Sequence, residues 1–151
     1  MALDDDIRIL SGVSLFEGFT REQLRLMAFG AESMTLSAGR DIYGEGAFAD
    51  CAFIVASGKV VLFTEHDDRR QIIETLGPGQ IMGEFALIAE GRRMTSAMTE
   101  SETRLIRVSR STFHRILEEF PETAMRLHQR ISKNLQAMIA RMEEAASRLI
   151  R

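Results

Sequence analysis

The sequence predicts a mainly-β domain, a β-sandwich or jelly-roll barrel, with short helices before it and a long helix after it. Three observations carry this. Between about residues 34 and 108, the runs MTLSAG, AFIVASGKVVLF, QIIETLG and RLIRVS are separated by Gly39, Gly44, Gly46, Gly58, Gly77, Gly79 and Gly83. Short strands with glycine turns at roughly ten-residue spacing are the pattern of a closed or two-layered β structure. On both sides of this region the apolar period becomes that of a helix. A chain of 151 residues with 45% hydrophobic content is the size of one domain with a single core.

The elements follow in order. Residues 1–33 hold the N-terminal helices, at about 3 to 9 and 21 to 29. Thr20 is placed to cap the second of them, with Gln23 three positions on, and Leu24, Met27 and Ala28 share a face. Residues 34–108 form the β region. After Ser109, residues Phe113, Ile116 and Leu117 mark one face of a short helix that stops before Pro121, and a long helix runs from about Glu122 to the end. No internal repeat or low-complexity linker interrupts residues 1–151, so a single domain is expected.

Composition narrows the function. The net charge of -3 provides no overall attraction to a polyanion. Cys51 is the sole cysteine, which excludes an internal disulfide and the several thiolates of iron–sulfur or structural zinc sites. His66, His114 and His128 lack metal-ligand spacing, so no metal site is expected. The opening MALDDDIRIL has no basic region before a long apolar run, and no run of about 18 apolar residues occurs anywhere. A cytoplasmic protein with no membrane attachment is expected.

The stretch GEFALIAEGRRMTSA, residues 83 to 97, carries the chemistry. Glycine-flanked amides and a helical turn at EFALIAE form an anion-binding nest. Arg93 adds a planar fork of donors that matches two phosphate oxygens, while Glu84 accepts hydrogen bonds and repels phosphate. Together they suit a ligand with a phosphate and a nearby hydroxyl. The competing reading is a structural Arg–Glu ion pair.

This stretch resembles the phosphate-binding cassette of the cyclic-nucleotide-binding domains found in the catabolite activator protein, protein kinase regulatory subunits and gated channels. That cassette reads roughly Gly-Glu-Leu-Ala-Leu, a few residues, then Pro-Arg-Ala-Ala-Thr, with the same length between Glu and Arg as here. LFEGFTREQL, AGRDIYGEGAFADCAFIVASGKVVLF and SRSTFHRILEEFP are similar to the family's opening segment, early strands and post-barrel helix. The resemblance covers nearly the whole chain. It implies a jelly-roll (double-stranded β-helix) barrel that binds cAMP or cGMP and uses no other cofactor. It assigns Glu84 to the ribose hydroxyl, Arg93 to the cyclic phosphate, and the Gly83, Phe85, Met94 and Thr95 amides, with Ala86 beside them, to the pocket wall.

The departures are informative. Arg92 stands where many members have proline and reads as a solvated neighbour. Met94 replaces the usual Ala, Ser or Thr, removing a hydroxyl that Thr95 or Ser96 is placed to restore. The Thr-Ser pair that caps adenine in the catabolite-activator branch falls on Met138 and Ile139, so the lid is expected to be apolar and the choice between cAMP and cGMP stays open.

In the last helix, Ile131, Leu135, Met138, Met142, Ala145 and Leu149 follow the four-three spacing of a coiled-coil seam. Residues 109–151 are thus expected to build a homodimer, with packing onto the chain's own barrel as the alternative. The region 122–151 has six Lys/Arg against three Asp/Glu, read as a solvated face. No helix-turn-helix follows Arg151, so direct DNA binding by this chain is not expected. The functions left are a cyclic-nucleotide sensor module, the sensory half of a Crp/Fnr-type regulator, and a barrel retained only for interaction. A phosphodiesterase or cupin-type enzyme would want metal ligands the sequence does not offer.

Overall fold

The computed structural model describes residues 2–149 and the side chains of residues 3–148. Helices α1 (Ala2–Ser11) and α2 (Arg21–Phe29) flank a short 3-10 turn, Ser14–Phe16, that the sequence pattern did not separate from its neighbours. The Thr20 cap forms as a reciprocal capping box with Gln23, which satisfies two otherwise orphaned amides at the start of α2. The barrel follows as β1 (Glu32–Leu36), β2 (Asp41–Tyr43), β3 (Phe48–Ala49), β4 (Cys51–Ser57), β5 (Val60–His66), β6 (Arg69–Leu76), β7 (Ile81–Met82), β8 (Gly91–Arg92), β9 (Ser96–Thr99) and β10 (Thr103–Ser109). Helices α3 (Arg110–Glu119) and α4 (Pro121–Leu149) close the chain.

Two four-stranded antiparallel sheets, ordered β1-β10-β4-β7 and β2-β9-β5-β6, form the jelly-roll body, and β3 pairs with β8 at its edge. Strand β4 explains the continuous apolar run CAFIVAS, because it is buried on both faces. Cys51, Phe53 and Val55 meet Leu62, Leu105 and Met82 inside the barrel. Ala52 and Ile54 face the other way, onto a helix-side core with Leu10, Met27, Phe113 and Phe16. Ser109 caps α3 through its side chain, and Phe113 and Ile116 are buried as their spacing predicts.

Helix α4 lies along its own barrel. Leu127 and Ile131 belong to the helix-side core, Met138 packs on the barrel core, and Arg141 bridges to Glu74 on β6 at 3.2 Å. The outer end of the apolar stripe does not project beyond the barrel. Ala145 is only 4% exposed, because α4 stays seated against the β5–β6 side instead of rising free of it. The side chain of Leu149, the last member of the stripe, lies outside the described residues. Among the described residues no helix is long and apolar enough to cross a membrane.

Candidate functional site

The segment after β7 turns sharply at Gly83, whose φ is +73°, and runs into a 3-10 turn at Glu84–Leu87. A Cβ at position 83 would collide with Nη1 of Arg93 and stand 3.5 Å from the Cys51 carbonyl, so glycine is required for the conformation and for the close approach. Leu87 anchors the turn in the helix-side core. Arg110, the first residue of α3, ties the turn down from outside: its Nε donates to the Ala86 carbonyl at 2.7 Å and its Nη2 to the Ala49 carbonyl. The segment then pairs as β8 with β3 and leads into β9.

Arg93 is held at both main-chain ends, its N–H donating to Ala47 and its carbonyl accepting from Gly46, each at 2.8 Å. The side chain is 7% exposed. Its Cζ lies 4.3 Å from the centre of the Tyr43 ring and 5.9 Å from that of Phe53, and Nη2 donates to the Cys51 carbonyl at 2.8 Å with the Cys51 sulfur 3.4 Å away. Nε and Nη1 are buried and have no partner among the described residues. Two unmade donors on a buried cation cost more than the same donors in water, and an anion in the cleft would supply the acceptors they lack.

Glu84 does not take that role. Among the described residues no ion pair joins it to Arg93, which removes the structural-pair reading of the two residues. Glu84 instead accepts a long hydrogen bond, 3.4 Å, from Nδ2 of Asn134 on α4. Burial pushes its carboxyl above the ordinary 4.5, against the hydrogen bonds from its own amide and from Asn134. Tyr43, also driven mainly by burial, is pushed up to about 12 and is therefore a neutral phenol beneath Arg93. Burial likewise raises the Cys51 thiol.

One cleft gathers Gly83, Glu84, Phe85, Ala86, Arg93, Met94 and Thr95, the seven residues assigned to a pocket from the sequence. Thr95 is buried at the wall, whereas Ser96 does not line the cleft and its hydroxyl oxygen accepts from the Glu45 amide at 2.9 Å, so Thr95 is the one placed to supply the hydroxyl that Met94 lacks. Arg92 is exposed, donates to the Gly46 carbonyl at 2.8 Å and stacks on Phe48. Of the two lid candidates, Met138 lines the cleft and Ile139 does not. A helix turns 100° per residue, and this carries Ile139 to a separate surface hollow beside His66, where it is 40% exposed. Tyr43, Asn134 and Leu135 also line the cleft and were not found from the sequence. Asn134 stands one turn before Met138, a spacing that would have identified it. Among the described residues no group of three His, Cys, Asp or Glu side chains is arranged to hold a metal.

Comparison with known proteins agrees with this geometry. The Cyclic AMP receptor protein of Thermus thermophilus is 30% identical over 133 residues, 87% of this chain and 58% of the relative. The chain thus spans less than two thirds of the curated relatives it matches first. A solved cyclic nucleotide-binding-like protein from Brucella abortus is 57% identical, with a TM-score of 0.69, over 76% of this chain and 99% of the other. The regulatory domain of Toxoplasma gondii PKA, solved with cAMP, superposes with a TM-score of 0.71 at 25% identity, over 76% of this chain and 44% of the other. Residues 33–120 match the family model of the cyclic nucleotide-binding domain, and with its cassette residues brought to one cleft the chain belongs to that family.

Proposed function

We propose that this chain is a cytoplasmic regulatory module that binds cAMP or cGMP and passes occupancy on through the seating of α4. The observation that carries the reading is the guanidinium of Arg93, whose buried Nε and Nη1 are unpartnered among the described residues at a cleft that also holds Glu84. The cyclic phosphate accepts from that guanidinium and from the amides of the Gly83–Phe85 turn and of Met94 and Thr95. Glu84 accepts from the ribose 2′-hydroxyl. Met138 covers the base. The Asn134–Glu84 contact joins α4 to the cassette, so a ribose inserted there replaces a direct link by one through the ligand and changes how α4 sits. The role is binding, not catalysis. The Thermus relative, named for cyclic AMP, and the Toxoplasma complex with cAMP support this class of ligand.

A second reading, the sensory part of a Crp/Fnr-type regulator, is favoured by the length relation to the relatives, of which this chain spans 58%. In that reading α4 feeds a separate DNA-binding part, and the residues described here contact no DNA. We place the homodimer interface on the exposed side of α4, where Met125 and Ile139 lie, since the inner side is occupied by the barrel. Calorimetric titration with cAMP and cGMP tests the function: saturable binding of one nucleotide per chain is expected, and no heat with either nucleotide would contradict it.

A further inference from the structure

The polar side chains of the cleft fall into two contacting groups. Arg93, Tyr43 and Thr95 stand together, and Glu84 pairs with Asn134. On α4, the residues on either side of Asn134 that face the cleft are Ile131, Leu135 and Met138, and Leu62 and Met94 complete the wall. All five present hydrocarbon or thioether. The remaining cation at the rim, Arg92, is committed outward to the Gly46 carbonyl and the Phe48 ring.

Bases differ from one another in the donors and acceptors along their edges. A site tells them apart strongly only when its own buried polar groups are left unpaired by the wrong one, and an apolar wall rejects a polar variant weakly. Here the charged groups of the cleft, Arg93 and Glu84, are taken up by the phosphate and the sugar, and beyond Asn134 a base extending along α4 meets the apolar side chains of Ile131, Leu135 and Met138. We infer that this site selects on the cyclic phosphate and the ribose and is indifferent to the base, so that 3′,5′-cyclic pyrimidine ribonucleotides are ligands alongside the purine ones. The inference rests on the proposed function and narrows how that site recognises its ligand. The smaller pyrimidine ring buries less apolar surface, a loss of less than about tenfold.

The test is calorimetric titration of the full chain with cAMP, cGMP, cCMP, cUMP and 2′-deoxy-cAMP under one set of conditions. The four ribonucleotides are expected to bind with dissociation constants spread over less than about thirtyfold. Removing the 2′-hydroxyl is expected to cost about tenfold or more, as loss of a hydrogen bond to a charged group does. A spread among the four larger than thirtyfold overturns base indifference while leaving the cyclic-nucleotide function standing. Failure of all four to bind overturns both the function and the inference.

Discussion

The guanidinium of Arg93 stacks on the ring of Tyr43, Cζ to ring centre 4.3 Å, with no carboxylate among the described residues paired to it. The cation is thereby fixed in place by an aromatic face and a backbone carbonyl, neither of which neutralises its charge. Its guanidinium donors Nε and Nη1 remain available to an anion. Tyr43→Phe keeps the ring and is expected to retain nucleotide affinity. Tyr43→Leu removes a cation–π contact worth about 0.5 to 2 kcal/mol and is expected to weaken binding roughly 2- to 30-fold by calorimetry. Equal losses in the two variants would assign the role to the hydroxyl instead.

Gly83 meets Arg93 more closely than any other residue type could. Gly83→Ala is expected to displace the guanidinium and to strain a left-handed turn by about 1 to 3 kcal/mol. Both a lower thermal midpoint and weaker nucleotide binding should follow. A variant with unchanged melting and affinity would show that Arg93 does not need its present position.

Much of this was legible in the sequence for identifiable reasons. The capping box at Thr20 and Gln23 is a local motif and formed as read. The glycine-punctuated strands gave the barrel, and the cassette, a continuous segment, carried all seven of its assigned residues to one cleft. Contacts made across long separations were not legible. Tyr43 reaches Arg93 across 50 positions, so no local pattern marks it, and Asn134 reaches Glu84 across the same number, with only its place one turn before Met138 pointing to the cleft. The α4 stripe was read correctly as an apolar face. Spacing alone does not say whether such a face meets a second chain or the chain's own barrel, and here Ile131, Met138 and Ala145 meet the barrel.

Glu84 links function to stability through its raised carboxyl pKa. With the folded pKa above the ordinary 4.5, the folded protein holds the proton more tightly than the unfolded chain. The contribution of this group to unliganded stability is therefore fully present below 4.5 and lost as pH rises through the folded pKa. Glu84→Gln is expected to stabilise the unliganded protein at pH 7 and to flatten that part of the pH profile in urea unfolding. It should also weaken ribonucleotides more than 2′-deoxy analogues. A Glu84→Gln protein no more stable than wild type at pH 7 would contradict the burial argument.

The two sides of α4 are expected to respond differently to substitution. Ile131 is fully buried, and Ile131→Ala should cost about 2 to 5 kcal/mol in urea unfolding. Ile139→Glu, on the exposed side, should change stability by less than about 0.5 kcal/mol and yield monomers in sedimentation. Dimers that persist in Ile139→Glu would place the interface elsewhere.

The central claim is that the unpartnered donors of the Arg93 guanidinium exist to hold an anionic ligand. The most direct measurement is parallel titration of wild type and Arg93→Gln with cAMP, with circular dichroism confirming that both are folded. A charge-assisted hydrogen bond is worth about 1.5 to 3 kcal/mol, so Arg93→Gln is expected to bind roughly 10- to 150-fold more weakly. Equal affinity in the two proteins would contradict the account, because the buried Nε and Nη1 would then have no part in binding.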